Sequence, residues 1–191
     1  MKYHLVVQPV PTDPKPSRPH TLRIQLVEHG DYVDNWFPRP RAAIEARFKQ
    51  GAKCFIAFNE DQPLACLWLK ANGDFFEDTV RCCFRPLPVE STAWDFDVFV
   101  HPEYRLGRTF LHLWNHVSEW MRQNDIDWTM SRIDAFNLAS INSHKRLGAQ
   151  ITDSITFWTW GSIQLTLSSK SPRFTLSRRS TPIFTIERPS D

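Results

Sequence analysis

The segment that decides the fold is WDFDVFVHPEYRLGRTFLHLWNHVSEWM, residues 94–121. Apolar side chains occupy every second position from Trp94 to Val100, the period of two that indicates a strand with unlike faces. His101-Pro102 ends this strand, because proline cannot donate a hydrogen bond to a ladder. An apolar stripe at helical spacing follows, made of Phe110, Leu113, Trp114, Val117 and Met121. The segment therefore predicts a strand, a short loop and a helix packed on a sheet.

The loop within this segment, Tyr104 to Thr109, leads directly into the helix. The first N–H groups of a helix have no partner within the helix, and the helix dipole is positive at that end. Gly107 lets the backbone come close to a ligand, and Arg105 and Arg108 add positive charge. The junction indicates a site for an anionic cofactor, and a solvated loop with two surface arginines is the alternative.

Length and charge limit the class of protein. The chain has 191 residues, 41% of them hydrophobic, which suits one globular domain with a substantial core. Its net charge of +2 argues against a general nucleic-acid binder. Positive charge is concentrated between residues 165 and 191, where five Lys/Arg against two Asp/Glu give +3 and leave −1 for the rest. A polyanion contact of this tail is therefore kept as a minor hypothesis.

No apolar run is long enough to span a membrane, and the first ten residues do not have the pattern of a signal peptide. We expect a cytoplasmic protein. The four cysteines, Cys54, Cys66, Cys82 and Cys83, lie in strand-like apolar segments without zinc-site spacing, which predicts free thiols. His112 and His116 stand one helical turn apart but have no third ligand at a recognisable spacing, so no metal site is predicted.

The rest of the chain divides into three predicted parts. Residues 1–20 form an extended, proline-rich N-terminal segment that includes a short strand, and residues 168–191 form a basic tail rich in Ser, Arg and Pro. Within the tail, apolar residues near 174–176 and 183–186 are either small edge strands or part of a loose tail. The elements predicted between these parts are strand 22–26, a helix ending near Gly51, hairpin 53–58/63–69, a strand within 79–84, strand 94–100, the central helix, strand 127–133, a helix from 138 to Gly148 and hairpin 151–160/163–167.

Two motifs in this order, VHPEYRLGRTF (Val100 to Phe110) and NLASINSHKRLGA (Asn137 to Ala149), resemble the GNAT superfamily of acyl-CoA-dependent N-acetyltransferases. The resemblance is clear from Asp97 to Ala149 and extends loosely over residues 21–167, which we take as a GNAT-like acyltransferase domain. It implies an α+β fold with a mostly antiparallel, mixed sheet of about six or seven strands flanked by helices. The central parallel strands would splay apart, with the cofactor arm in the gap.

The resemblance also implies which residues bind acetyl-CoA. Phe99 and Val100 would offer backbone groups to the pantetheine amides, and Asn137 and Ser140 of the second motif would contact the cofactor. The pyrophosphate would lie on the N–H groups of Leu106, Gly107, Arg108, Thr109 and Phe110, with the charge of Arg105 beside them. The loop departs from the family pattern, because its only glycine comes one place early and Phe110 stands where a small residue is expected.

The same resemblance suggests the proton donor. His144 occupies the position where the family commonly has a tyrosine that protonates the departing thiolate of CoA. An imidazolium with an ordinary pKa near about 6.5 can protonate a thiolate whose thiol has a pKa of about 8.5. The alternative is that His144 only packs beside Leu147, and Asn137 has a similar alternative role as the helix cap.

The amine must lose a proton as it attacks, and three carboxylates are candidates for the base: Asp95 and Asp97 on one face of the central strand, and Glu90 in the preceding loop. Asp95 and Asp97 are alternatively a solvated edge or partners of Arg132. A strand N–H near Val98 to Val100 would meet the oxyanion.

These inferences predict an N-acyltransferase that moves an acetyl or other acyl group from acyl-CoA to a primary amine in a ternary complex, with a non-catalytic GNAT-fold binding or regulatory module as the alternative. The partners are acyl-CoA and a small-molecule or peptide amine, and a homodimer is left open. Aromatic residues in Tyr32–Phe37 and at Phe75 and Phe76 are either core or the lining of an apolar pocket.

Overall fold

The structure, a computed structural model, describes residues 1–12, 22–28, 36–105 and 108–189. The strands are β1 (Lys2–Pro9), β2 (Leu22–Val27), β3 (Lys53–Asn59), β4 (Gln62–Ala71), β5 (Phe75–Glu77), β6 (Cys82–Leu87), β7 (Thr92–Val100), β8 (Trp128–Asp134), β9 (Gln150–Trp160), β10 (Ile163–Ser168), β11 (Phe174–Ser177) and β12 (Ile183–Glu187). The helices are α1 (Arg41–Lys49), α2 (Thr109–Gln123) and α3 (Leu138–Arg146). The mixed α+β class predicted from the sequence is therefore confirmed.

The chain forms two compact units. The first contains residues Met1–Val10, Asn72–Trp94 and Ile126–Asp191, and the second contains Pro11–Ala71 and Asp95–Asp125. β7 runs through both, because its first three residues belong to the first unit and the rest to the second.

In the first unit, five strands lie in the order β11-β10-β9-β1-β8, followed by the start of β7, and β12-β6-β5 form a separate three-stranded sheet. β7 and β8 are parallel, with Thr92 opposite Trp128 and Trp94 opposite Met130, as the strand-helix-strand order predicts. The expected six or seven strands are too few. The expectation missed β5 entirely, since a three-residue strand between turns is too short to show a period of two.

The first ten residues are part of the first unit. β1 lies between β8 and β9 and is antiparallel to both, with Val6 opposite Ser131 on one side and Ile151 on the other. Val7 is fully buried, and the N–H of Val10 donates to the carbonyl of Asp127. The predicted short strand at the N-terminus is thus an interior strand of this sheet.

Both apolar segments of the C-terminal tail are strands. β11 pairs with β10, and β12 runs parallel to β6 with Phe184 opposite Phe84. Phe184 is 3% exposed and contacts the rings of Phe84 and Phe157 at 6.2 and 6.1 Å between centroids. Of the two interpretations that the sequence left open, the edge strands are observed.

The second unit contains β7 from Asp95 onward, then β4, β3 and β2 in that order, with α1 and α2. α2 packs on β2, β3 and β4 through the predicted stripe, in which Leu113, Trp114, Val117 and Met121 are all fully buried. α1 ends at Lys49, and Gly51 follows its C-cap Gln50 with a φ of +77° that glycine readily adopts. A buried cluster lies beside α1, made of Val27, Ile44, Ala52, Cys54, Ile56, Phe58, Cys66 and Trp68.

Among the described residues, none of the helices combines the length and the apolar character required to cross a membrane.

Candidate functional site

Asp97 is held by two arginines in the second unit. Arg39 donates from Nε and Nη2 to the two carboxylate oxygens at 3.3 and 2.9 Å, and Arg47 donates from Nη2 to Oδ2. The guanidinium of Arg47 also lies over the rings of Trp68 and Phe96, 5.2 and 5.5 Å from their centroids. Charge-assisted and bidentate pairs of this kind are the strong ones, and they occupy the oxygens that a base would use to accept a proton.

Asp97 also takes an unusual backbone conformation. Its φ is +45° in the middle of β7, a left-handed conformation that Asp and Asn tolerate better than most residues. The two ion pairs anchor the side chain at the position where the regular extended backbone is interrupted. The structure therefore gives Asp97 a clear structural role in β7.

The two sequence-based alternatives fail for Asp95, and the pairing with Arg132 is not observed for Asp97 either. Asp95 is 2% exposed, so it is not part of a solvated edge. Arg132 pairs instead with Glu77, at 2.8 and 2.6 Å, and lies over the ring of Tyr3 at 4.3 Å. Strand alternation placed Arg132 on one face of its strand but could not show that its ion-pair partner would be Glu77 of β5.

Glu90 differs from the two aspartates in its surroundings. It is exposed and lies in a 3-10 turn, Val89–Ser91, immediately before β7. Its side chain lines an open groove of about 620 Å³ in the first unit, together with Leu87, Pro88, Val89, Glu187, Arg188 and Pro189. Two carboxylates against one guanidinium leave the groove with net negative charge, which favours a cationic amine.

The predicted phosphate loop is described only in part. Leu106 and Gly107 lie outside the described residues. Arg105 is exposed and donates from Nε to the carbonyl of Val100 at 3.0 Å, so one predicted cofactor residue already binds the backbone of another. Arg108 is the N-cap of α2 but provides no side-chain capping hydrogen bond, and α2 begins at Thr109, which is 6% exposed.

The aromatic side chains beside this region are packed. Phe99 contacts Trp36 at 5.7 Å between ring centroids, and Phe37 contacts Trp68 at 5.8 Å. Phe110, which replaces a small residue of the family pattern, is half-buried, and its ring lies 6.0 Å from that of Trp114. Trp36, Phe37 and Phe99 therefore belong to the edge of the core, whereas Tyr32 lies outside the described residues.

Phe75 and Phe76 have opposite environments in the first unit. Phe75 is 5% exposed and stacks on Trp94 at 5.5 Å, whereas Phe76 is 38% exposed. Phe75 is therefore core, and only Phe76 remains available to line a pocket.

The second motif lies on α3 in the first unit. Asn137 caps this helix, because its Oδ1 accepts from the N–H of Ser140 at 3.1 Å. Asn137 is exposed and Ser140 is half-buried. The capping role predicted from the sequence is observed, and a cofactor contact of either residue stays a prediction.

His144 lies beneath α3 rather than on its exposed side. It is 4% exposed, and its Nδ1 lies 3.1 Å from Oε1 of Gln8 in β1. Burial lowers the pKa of His144 to about 4, so the imidazole is uncharged at neutral pH. With Nδ1–H donating to Gln8, Nε2 is the unprotonated nitrogen of the neutral ring. The premise that His144 is an imidazolium with an ordinary pKa is therefore wrong.

No group of three or more His, Cys, Asp or Glu side chains is arranged to hold a metal ion in the described parts of the chain. Partial burial lowers the pKa of His116, and the carboxylate of Glu119 opposes that shift.

A family model for the acetyltransferase (GNAT) family matches residues 21–149. The chain belongs to the GNAT acetyltransferase family. The match includes both motifs, the three candidate carboxylates and His144. No curated protein matches the chain.

Solved structures share this fold at low sequence identity. AAC(6′)-Iy in complex with the bisubstrate analogue CoA-S-monomethyl-acetylneamine has a TM-score of 0.54 at 15% identity, with 73% of this chain and 97% of that one covered. A functionally unknown conserved protein from Staphylococcus epidermidis ATCC 12228 has a TM-score of 0.54 at 15% identity, covering 80% and 58%. A tandem GNAT protein from the clavulanic acid biosynthesis pathway has a TM-score of 0.52 at 16% identity, with 80% of this chain and 51% of that one covered. The chain thus spans little more than half the length of the last two.

Sequence patterns did not indicate three residues that contact Asp97 and His144: Arg39, Arg47 and Gln8. Arg47 and Asp97 are 50 positions apart, and Gln8 and His144 are 136 positions apart. Local periodicity reports neighbours within a few residues, so these pairings have no signal in a single GNAT sequence.

Proposed function

We propose that the protein is an N-acyltransferase that moves an acetyl or other acyl group from acyl-CoA to a primary amine by direct attack in a ternary complex. The observation that carries the proposal is the ordered pair of motifs, which falls inside the matched residues 21–149 and occupies the β7–α2 junction and α3. Acetyl-CoA is the acyl donor of the family. The four cysteines are free thiols, in keeping with a reducing compartment such as the cytoplasm.

The start of α2 supports binding of the CoA pyrophosphate. Arg108 provides no side-chain cap, so the first N–H groups of the helix are suited to an anion at the positive end of the dipole. Arg105 is anchored through Nε to the carbonyl of Val100, which holds its charge at the entrance to the loop. The proposal assigns Phe99, Val100 and the residues from Arg105 to Phe110 to the cofactor.

The chemistry requires a base for the amine. The amine lone pair forms a C–N bond to the thioester carbonyl, the C–S bond then breaks, and the amine proton passes to the base while the CoA thiolate gains a proton. Of the three candidate carboxylates, Glu90 suits this role best, because it is exposed and faces the acidic groove. Asp97 is engaged by two arginines and Asp95 is buried, so we assign them to the structure of β7.

We keep His144 as the proton donor, and its burial makes this role depend on pH. A pKa of about 4 leaves about one imidazolium per thousand molecules at pH 7, and that fraction grows about tenfold for each pH unit lowered towards 4. The ratio of wild-type kcat to that of the His144→Ala variant should therefore rise in the same proportion as the pH falls. A ratio that is constant with pH would remove His144 from the chemistry.

The first experiment is calorimetric titration of the protein with acetyl-CoA, free CoA and a long-chain acyl-CoA. We expect a Kd in the micromolar range for at least one of them, and Arg105→Ala should weaken it about tenfold. Arg173→Ala, which changes an exposed arginine outside the proposed cofactor residues, is the matched control. Absence of binding to all three ligands would reject the cofactor assignment.

Turnover is tested by thiol release in the presence of amines that include neamine and a peptide N-terminus. Glu90→Gln should lower kcat by about 10²- to 10⁴-fold, the range of general-base catalysis, and leave the Kd for acyl-CoA unchanged. Glu187→Gln is the matched control, because Glu187 lines the same groove but does not adjoin β7. Equal losses in both variants would indicate a general electrostatic effect of the groove instead of a base.

The second candidate function is a non-catalytic GNAT-fold binding or regulatory module. It is favoured by the buried, uncharged His144 in place of the family's tyrosine. Acyl-CoA binding without thiol release across the amine panel would select it.

A further inference from the structure

The strand pattern is inverted in β10, near one edge of the first unit. Gln164 and Thr166 are each 1% exposed, whereas Ile163 and Leu167 are 42% and 49% exposed. A strand with one buried face normally turns its apolar side chains inward and its polar ones outward. Ile163 and Leu167 of β10 therefore do not pack into the core beneath this strand.

The neighbouring strands continue the same apolar surface. Leu165 lies opposite Trp158 of β9 and Leu176 of β11, and directly opposed residues of antiparallel strands share one face of a sheet. Trp160 lies opposite Ile163, and Leu167 lies opposite Phe174. We call this surface the apolar face, and its members are Trp158, Trp160, Ile163, Leu165, Leu167, Phe174 and Leu176.

The apolar face is large and uncharged. Trp160, Phe174 and Leu176 are each more than 60% exposed. With about 150–250 Å² for each aromatic side chain, the face exposes on the order of 600 Å², the upper end for a monomeric protein. Residues 154–169 and the four residues of β11 include no charged side chain.

We propose that the apolar face is the contact surface between two copies of this chain. A standard interface takes about 800 Å² from each partner, and the face with a rim of neighbouring residues supplies that area. A two-fold axis places the same patch of both copies together, and an uncharged patch can meet itself without like-charge repulsion. Exposed aromatic residues with depleted charge are also the composition of an interface centre.

In this arrangement the two sheets pack face to face, as in a β-sandwich with about 10 Å between the sheets. A lipid surface is the less suitable occupant. Proteins that lie on membranes combine exposed aromatic residues with Lys or Arg on the same surface. The seven residues of the apolar face include no Lys or Arg, and the exposed Arg173 lies at its rim, beside Phe174. The proposal does not depend on the catalytic function, because none of these seven residues is assigned to acyl transfer.

Sedimentation equilibrium of the full chain tests the proposal. Between about 1 and about 100 µM we expect a species of twice 22.4 kDa. Phe174→Glu and Leu176→Glu should each raise the dimer dissociation constant by at least about 100-fold, since both place an unpaired charge within an apolar contact. Phe136→Glu is the matched control, because Phe136 is 82% exposed and lies outside the apolar face, and it should leave the constant unchanged.

Hydrogen exchange of the wild-type protein gives a test that needs no variant. Peptides covering β10 and β11 should lose protection when the protein is diluted through the dissociation constant, while peptides from α2 should not. A wild-type protein that stays monomeric over the whole concentration range would overturn the proposal, and so would a dimer that survives both glutamate variants. A monomer that binds vesicles of phosphatidylcholine and phosphatidylserine through these residues would assign the apolar face to lipid.

Discussion

His144 shows at the residue scale how burial changes what a side chain can do. The sequence places a histidine where the family has a tyrosine, but the pKa that matters is set by the interior that surrounds it. At 4% exposure and beside Gln8, the ring is held in its neutral form. Asp97 shows the opposite case, because two guanidinium groups stabilise its charge.

The buried neutral imidazole should make stability depend on pH. The folded-state pKa of about 4 lies below the unfolded value of 6.5, so the unfolded chain binds the extra proton between these values. Stability contributed by neutral His144 is present above pH 6.5 and is lost as the pH falls from 6.5 to 4, by on the order of 3 kcal/mol. Urea denaturation of the wild type and of His144→Gln from pH 7.5 to 4.5 should show a smaller acid-side loss in the variant. Identical pH dependence in both would contradict the pKa assignment.

At the element scale, a single residue controls the course of β7. Asn tolerates a φ of +45° as well as Asp does, so Asp97→Asn removes the charge without straining the backbone. It should lower the free energy of unfolding by about 1–2 kcal/mol. Asp97→Leu should cost about 1–2 kcal/mol more, because the left-handed conformation is strained for it. Asp61→Asn, in the exposed pair with Arg23 at 3.8 Å, is the control and should have no measurable effect. Equal stability of the Asn and Leu variants would argue that β7 does not require the left-handed conformation.

The cap of α3 separates two roles of Asn137. Asn137→Ala should lower the free energy of unfolding by about 1 kcal/mol, whereas Asn137→Asp keeps an acceptor for the N–H of Ser140 and should be nearly as stable as the wild type. Denaturation measures the cap, and calorimetric titration with acetyl-CoA measures the cofactor contact. If the Asp variant is stable but binds acetyl-CoA more weakly, Asn137 contacts the cofactor as well as capping the helix.

At the scale of the whole molecule, the two ends of the chain complete the first unit. β1 pairs on both sides within the sheet, and the Phe184 side chain of β12 covers the ring of Phe84. A domain whose interior depends on its last strand cannot lose that strand without exposing apolar surface to water.

Phe184→Ala tests this dependence. The ring is 3% exposed, so its removal should lower the free energy of unfolding by about 3–5 kcal/mol. Ile183→Ala changes the preceding residue, which is 45% exposed, and should stay within about 0.5 kcal/mol of the wild type. Both are measured by chemical denaturation of the full chain. A loss below about 1 kcal/mol for Phe184→Ala would mean that β12 is not part of the folded unit in solution.

Much of the secondary structure could be predicted because its causes are local. The apolar stripe of α2 and the alternation of β7 follow from the geometry of helix and strand, and Asn137 can cap a helix whatever surrounds it. β5 was not predicted, because three residues are too few to show a period. The two tail strands could not be distinguished from a loose tail, because short segments between turns have no distinctive pattern.

By itself, the sequence determined the helices, most of the strands, the β7–loop–α2 junction and the two motifs that indicate the family. These features depend on backbone sterics and on contacts a few residues apart. The tertiary structure alone decided that Arg47 would bind Asp97, that His144 would lie uncharged beside Gln8, and that β10 would turn its apolar side chains to solvent. Charge pairing, desolvation and the choice of the buried face depend on residues far apart in the chain, which come together only when the chain folds.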